Sequence, residues 1–289
     1  MRLRRRFLVQ GEASFRLHPV NGWDGALADS PDGIVVALER PPWLAGFDPE
    51  WWHSVRLLPF AALLDWLNQQ AEGRGLRSGD GMPLCFVPQS GLPKAMAYES
   101  WIAQTGQVPT RDLLHDRLNA LAWLSYPKTK ARLNHVQALE IALHGAQGPR
   151  GGVRDAATLW DENLLVLACD GQAEPLQSLL QAADWISLFC RHRARWNQEW
   201  QPMIFGHALL EKLERPYKAL TAHCLVVSAG HSEIDSRLSE MVDDTMRPSV
   251  FLPLPVMGLP GWYSGDQSPD FYQDRSVFRS PRARDSRHF

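Results

Sequence analysis

The chain has 289 residues, is 45% hydrophobic, and carries 30 basic against 32 acidic residues for a formal charge of −2. Such a chain can bury a core without disulfides, and its composition excludes intrinsic disorder. The balanced charge offers no broad basic footprint for nucleic acid or an anionic membrane.

Arg2, Arg4, Arg5 and Arg6 open the chain, but only a short apolar stretch follows before Gln10 and Glu12, too little for a signal peptide. With Arg279, Arg282, Arg284 and Arg287 at the other end, these arginines are read as solvated, frayed termini. Pro41-Pro42 and Asp48-Pro49 punctuate a Trp-rich approach containing Trp43, Trp51 and Trp52. Phe60, Leu63, Leu64 and Leu67 recur at helical spacing and predict a helix from Pro59 to Gln70, followed by a surface turn region from Gly73 to Gly81. L-C-F-V-P and A-M-A-Y-E-S-W-I read as two strands of a hairpin joined through Ser90-Gly91-Leu92-Pro93.

The centre reads as helical. Thr110 is a suitable N-cap with Asp112 in the first turn, Leu114, Leu118 and Leu121 share a face, and Tyr126-Pro127 ends the run. A second helix follows from about Lys128 to Leu143 and stops at His144-Gly145. The Gly-rich loop from Gly145 to Gly152 has no phosphate-binding pattern. D-E-N-L-L-V-L-A-C-D predicts a buried strand, and Pro175 to Arg195 a helix. A short helix, H-A-L-L-E-K-L, and a strand, L-T-A-H-C-L-V-V, come next. From Phe251 onward the chain is rich in Pro, Gly and aromatics, with Trp262, Phe271, Tyr272 and Phe278 able to anchor an irregular segment. Its apolar stretch is too short and too broken by prolines to span a bilayer.

The expected architecture is a single α+β domain over residues 1–289, with its core at about 40–280. It has a helix-rich centre, a small sheet and an irregular aromatic C-terminal segment. The four cysteines, Cys85, Cys169, Cys190 and Cys224, are widely spaced in apolar runs with no C-x-x-C pair. They suit buried free thiols, and the expected setting is soluble and cytoplasmic.

Three histidines in polar clusters are the candidates for chemistry. His115 adjoins Asp116 and shares a helix face with Asn119; adjacent His and Asp is a pairing that metal-dependent phosphohydrolases also use. His207 and Glu211 stand four residues apart on a predicted helix, a spacing that suits two metal ligands or an imidazole with an orienting carboxylate. His223 opens an apolar strand. Asp161 and Glu162 place carboxylates beside the strand that follows them. Each residue also has a structural reading as a cap, a turn or an exposed polar stripe. No G-x-S-x-G and no H-E-x-x-H occurs.

Several phrases together resemble a bacterial family. T-R-D-L-L-H-D-R-L-N-A-L-A-W-L-S-Y-P-K-T-K-A-R-L-N, R-D-A-A-T-L-W-D-E-N, G-H-A-L-L-E-K-L, K-A-L-T-A-H and P-L-P-V-M-G-L-P-G-W are similar to the domain of unknown function 3025 family, over roughly residues 40–280. The resemblance implies no particular activity. The residues themselves suggest a hydrolase-like enzyme holding a divalent metal ion through His115, Asp116, His207 and His223, with Glu211 or Glu162 as the general base that activates water. Two other readings stay open. One is metal-free acid–base chemistry on a small molecule; the other is a non-catalytic module whose Trp-rich surface binds a protein or an RNA.

Overall fold

Asp48 and Pro49 begin the first long element. The Asp48 carboxylate accepts from the backbone N–H of Glu50 and Trp51, and Pro49 supplies the fixed φ of a first helical residue, giving α1 (Pro49–Leu57). The computed structural model describes residues 40–146 and 151–280, all within one compact unit, Glu39–Phe289. Arg2, Arg4, Arg5, Arg6, Arg282, Arg284 and Arg287 lie outside the described residues.

Helix α2 (Phe60–Gly73) buries Leu63, Leu64 and Leu67 at the predicted spacing. Strand β1 (Cys85–Pro88) follows as expected, but the hairpin does not form. A-M-A-Y-E-S-W-I instead enters helix α3 (Tyr98–Thr105), which buries Ile102 and Ala103 and stops at left-handed Gly106. Strand β2 (Gln107–Thr110) then pairs parallel with β1, which requires a crossover where a hairpin would have needed only a turn.

Thr110 closes β2, its hydroxyl donating to the Val108 carbonyl, so it does not cap the next helix. Helix α4 (Leu114–Ser125) starts later, and Asp112 lies outside it, paired with Arg117. From Leu118 to Leu124 every residue of α4 is buried, so polar side chains on this helix point into the protein. Helix α5 (Pro127–His144) follows with Pro127 at its start and Gly145 past its end. Its first backbone N–H groups, from Lys128 and Thr129, are met by the Asp235 carboxylate.

R-D-A-A-T-L-W-D-E-N forms helix α6 (Gly152–Asn163), so Asp161 and Glu162 occupy its last turn. It leads directly into β3 (Leu164–Cys169), whose six residues are all buried. Complete burial fits a central strand covered on both faces, each Leu or Val contributing about 1.5–3 kcal/mol. The predicted helix from Pro175 to Arg195 is interrupted. Helix α7 (Glu174–Gln181) ends before Ala183, which has φ +48°, and a π turn at Ser187–Arg191 restarts after the Asp184 carboxylate accepts from the Ser187 N–H.

Strand β4 (Trp200–Ile204), helix α8 (His207–Lys212), strand β5 (Thr221–Ser228), helix α9 (Ile234–Met241) and strand β6 (Leu252–Pro255) complete the regular elements. The second sheet has the order β4-β3-β5-β6, with β3 parallel to β5 and the outer pairs antiparallel. The described chain is therefore an α+β fold with two small sheets. The irregular C-terminal segment is anchored: Trp262, Tyr272 and Phe278 are buried, and the rings of Phe189, Phe271, Tyr272 and Phe278 pack against one another. All four cysteines are free. Among the described residues no helix is long and apolar enough to cross a membrane.

Candidate metal centre

The junction between β4 and α8 docks on the junction between α6 and β3. Phe205 and Gly206 both donate their backbone N–H to the Leu164 carbonyl. A Cβ on Gly206 would lie 2.5 Å from the Asn163 and Leu164 nitrogens, so only glycine permits this approach. The next residue, His207, is thereby placed against the last turn of α6. Helix α4 brings His115 to the same point.

The His207 Nε2 lies 3.1 Å from the His115 Nε2 and 3.6 Å from the Glu162 Oε2. One ligand atom from each of His115, Glu162 and His207 falls within 4.8 Å of the others. Two ligands about 2.1 Å from a tetrahedral ion stand about 3.4 Å apart, so these separations match edges of such a coordination shell. The two imidazoles meet at 67° with centroids 4.5 Å apart, an edge-on arrangement that turns both Nε2 atoms to a common point.

Hydrogen bonds fix how these rings are presented. The His115 Nδ1–H donates to the Glu211 Oε2 at 2.9 Å, which leaves the His115 Nε2 lone pair facing inward. His207 is buried, and burial pushes its pKa down to about 4, with Asp161 opposing. Among the described residues its Nδ1 has no hydrogen-bond partner, and it stands 3.9 Å from the Asp161 Oδ2. If the His207 Nε2–H simply donated to His115, the His207 Nδ1 lone pair would face a carboxylate. A cation between the two Nε2 atoms, whether a proton or a metal ion, removes that conflict, because Nδ1 then carries the hydrogen.

The charge around the rings favours a cation. Asp161, Glu162 and Glu211 surround the histidines, opposed by the ammonium of Lys130. Burial acts to raise the Asp161 carboxyl, yet Lys130 and His207 hold it below its ordinary value. Burial, reinforced by Asp161, raises Glu162.

Lys130 comes from α5 and reaches the Asp161 Oδ1 at 2.5 Å and the Asn119 Oδ1 at 2.7 Å; the Asn119 amide donates to the Tyr98 hydroxyl at 3.1 Å. Asn119 thus does share the inward face with His115. Lys130 was not among the predicted site residues. Its signal is the helical spacing with buried Leu133 and Asn134, which sets a lysine on the apolar face of α5.

The contacts divide the predicted residues. His115, His207, Glu162 and Glu211 converge. Asp116 is drawn instead into a two-point pair with Arg111, whose side chain donates to both carboxylate oxygens, and it also accepts the Arg111 backbone N–H. His223 stands outside the group of three, its Nδ1 3.0 Å from the Asn163 Nδ2 and its ring edge-on to Phe251. Burial, with Lys212 adding to it, lowers the His223 pKa.

The family model described as "Protein of unknown function (DUF3025)" matches residues 84–282. The chain belongs to the DUF3025 family. Each residue of the cluster, from His115 on α4 to Glu211 on α8, falls inside the matched region. Neither a curated protein nor a solved structure matches the chain.

Proposed function

We propose that this DUF3025 protein is a metal-dependent hydrolase-like enzyme in which His115, His207 and Glu162 hold one divalent transition-metal ion. The observation that carries the reading is the approach of the two Nε2 atoms to 3.1 Å with Glu162 at 3.6 Å. Two imidazoles and a carboxylate favour zinc or a neighbouring transition ion over magnesium or calcium. Three protein ligands leave a coordination position for water, whose acidity the ion would raise.

Glu211 orients His115 through one oxygen, and its other oxygen has no hydrogen bond among the described residues. With Glu162 assigned as a ligand, Glu211 is the remaining carboxylate of the two candidates for the role of general base. Glu162 moves from candidate base to ligand, and Asp116 and His223 leave the ligand set because other partners engage them.

A metal-free reading has one observation in its favour, the direct His207–His115 contact, which makes a histidine pair backed by Glu211. Turnover separates the two. Protein stripped with a chelator and reloaded with zinc(II) or cobalt(II) is assayed against phosphoester and amide substrates. Activity that disappears on stripping and returns on reloading supports the metal enzyme. Activity indifferent to the chelator supports the histidine pair.

A further inference from the structure

Beneath the proposed ligands lies an ion pair that the ligand set does not use. The side chains of Lys130 and Asp161 are 5% and 13% exposed. Buried pairs of this kind do little for stability compared with apolar residues of similar volume. The Lys130 ammonium also stands 5.3 Å over the Trp123 ring and bonds Asn119, so three elements beyond α6 are committed to holding one carboxylate still. Lys130 occupies the Asp161 Oδ1, and the remaining oxygen, Oδ2, lies 3.9 Å from the His207 Nδ1, which has no hydrogen-bond partner among the described residues.

We infer that Asp161 is a positioning residue that receives the Nδ1–H of His207 and so presents the His207 Nε2 to a metal ion, with Lys130 holding the Asp161 carboxylate in register. This rests on the metal-site reading above. His115 then has Glu211 behind it and His207 has Asp161, so each imidazole is fixed by its own carboxylate. Such partners orient the ring and raise its basicity as a ligand, and losing one typically weakens metal binding about 10- to 100-fold. The two carboxylates differ in setting. Glu211 is 41% exposed, whereas Asp161 is 13% exposed and pinned by an ammonium.

The test compares cobalt(II) affinity, by competition with a chelator, in wild type, in Asp161→Asn, and in the paired replacement Asp161→Leu with Lys130→Met. The paired replacement removes both charges together and leaves neither buried alone. The Nδ1–H resonance of His207 in the cobalt- or zinc-loaded protein is followed by NMR, a signal that a purely structural role would not move. The expected result is a folded paired variant with affinity lowered about 10- to 100-fold and a displaced or missing Nδ1–H resonance. Asp161→Asn, which keeps an acceptor, should fall between it and wild type, and it carries the comparison if the paired variant fails to fold. Wild type that binds cobalt(II) while both variants bind equally well, with the resonance unmoved, overturns the inference and leaves the metal site standing. Wild type that binds no cobalt(II) or zinc(II) overturns both.

Discussion

At the scale of single residues, the polar groups around His115 and His207 act on one another through charge as much as through hydrogen bonds. Glu99, on α3, accepts from Asn134 at 2.7 Å, and burial followed by repulsion from Asp161 raises its pKa to about 7. Between its ordinary value of 4.5 and about 7, the folded protein holds a proton there that the unfolded chain has released. The contribution of Glu99 to stability therefore falls as pH rises through that window and stays low above it. Glu99→Gln, which mimics the protonated acid, should leave stability nearly unchanged at pH 5 and raise it at pH 8 by about 1–2 kcal/mol. Denaturant midpoints at the two pH values check this, and a loss of stability at pH 8 contradicts it. Glu211→Gln should weaken metal binding about 10- to 100-fold by releasing His115, with little change in thermal midpoint, since its side chain is 41% exposed. Affinity titration with zinc(II) reads the effect.

At the scale of elements, the site depends on one glycine as much as on its ligands. Gly206 lets the start of α8 press on the end of α6, with the Glu162 carbonyl and two backbone nitrogens within 2.6 Å of where a Cβ would be. Gly206→Ala should therefore separate His207 from Glu162 and cost about 2–4 kcal/mol, both by forcing backbone apart. The checks are a lowered thermal midpoint and lost metal stoichiometry; retention of both would show that the junction can yield. The elements themselves were unevenly legible in the sequence. α2, α5, β3, α8 and β5 lie close to where the sequence puts them, because each carries a local signal: helical spacing in α2, Gly145 after the end of α5, an unbroken apolar run in β3. Helix α3 was mistaken for a strand because its apolar and aromatic residues fit either period over so short a run. The His115–Glu211 and His207–Glu162 approaches cross between helices distant in sequence, so spacing could nominate the residues but not pair them. Asp116 and His223 are equally suitable by sequence, and their contacts with Arg111 and Asn163 are legible only in the fold.

At the scale of the whole molecule, α4 is buried from Leu118 to Leu124 and packs against α1, α2, α5 and α8. The aromatic C-terminal segment contributes to stability separately from the proposed site. Phe278 is fully buried against Phe189, Phe271 and Tyr272, so Phe278→Ala should cost about 3–5 kcal/mol while leaving one metal ion bound in protein that remains folded. The central claim is that α4, α6 and α8 come together to hold that ion. Elemental analysis of purified protein tests it most directly, for wild type and for His115→Ala, His207→Ala and Asp116→Ala. The account predicts near-stoichiometric transition metal in wild type and in Asp116→Ala, and its loss in both histidine variants. Metal-free wild type after incubation with zinc(II), or metal retained in both histidine variants, would contradict it.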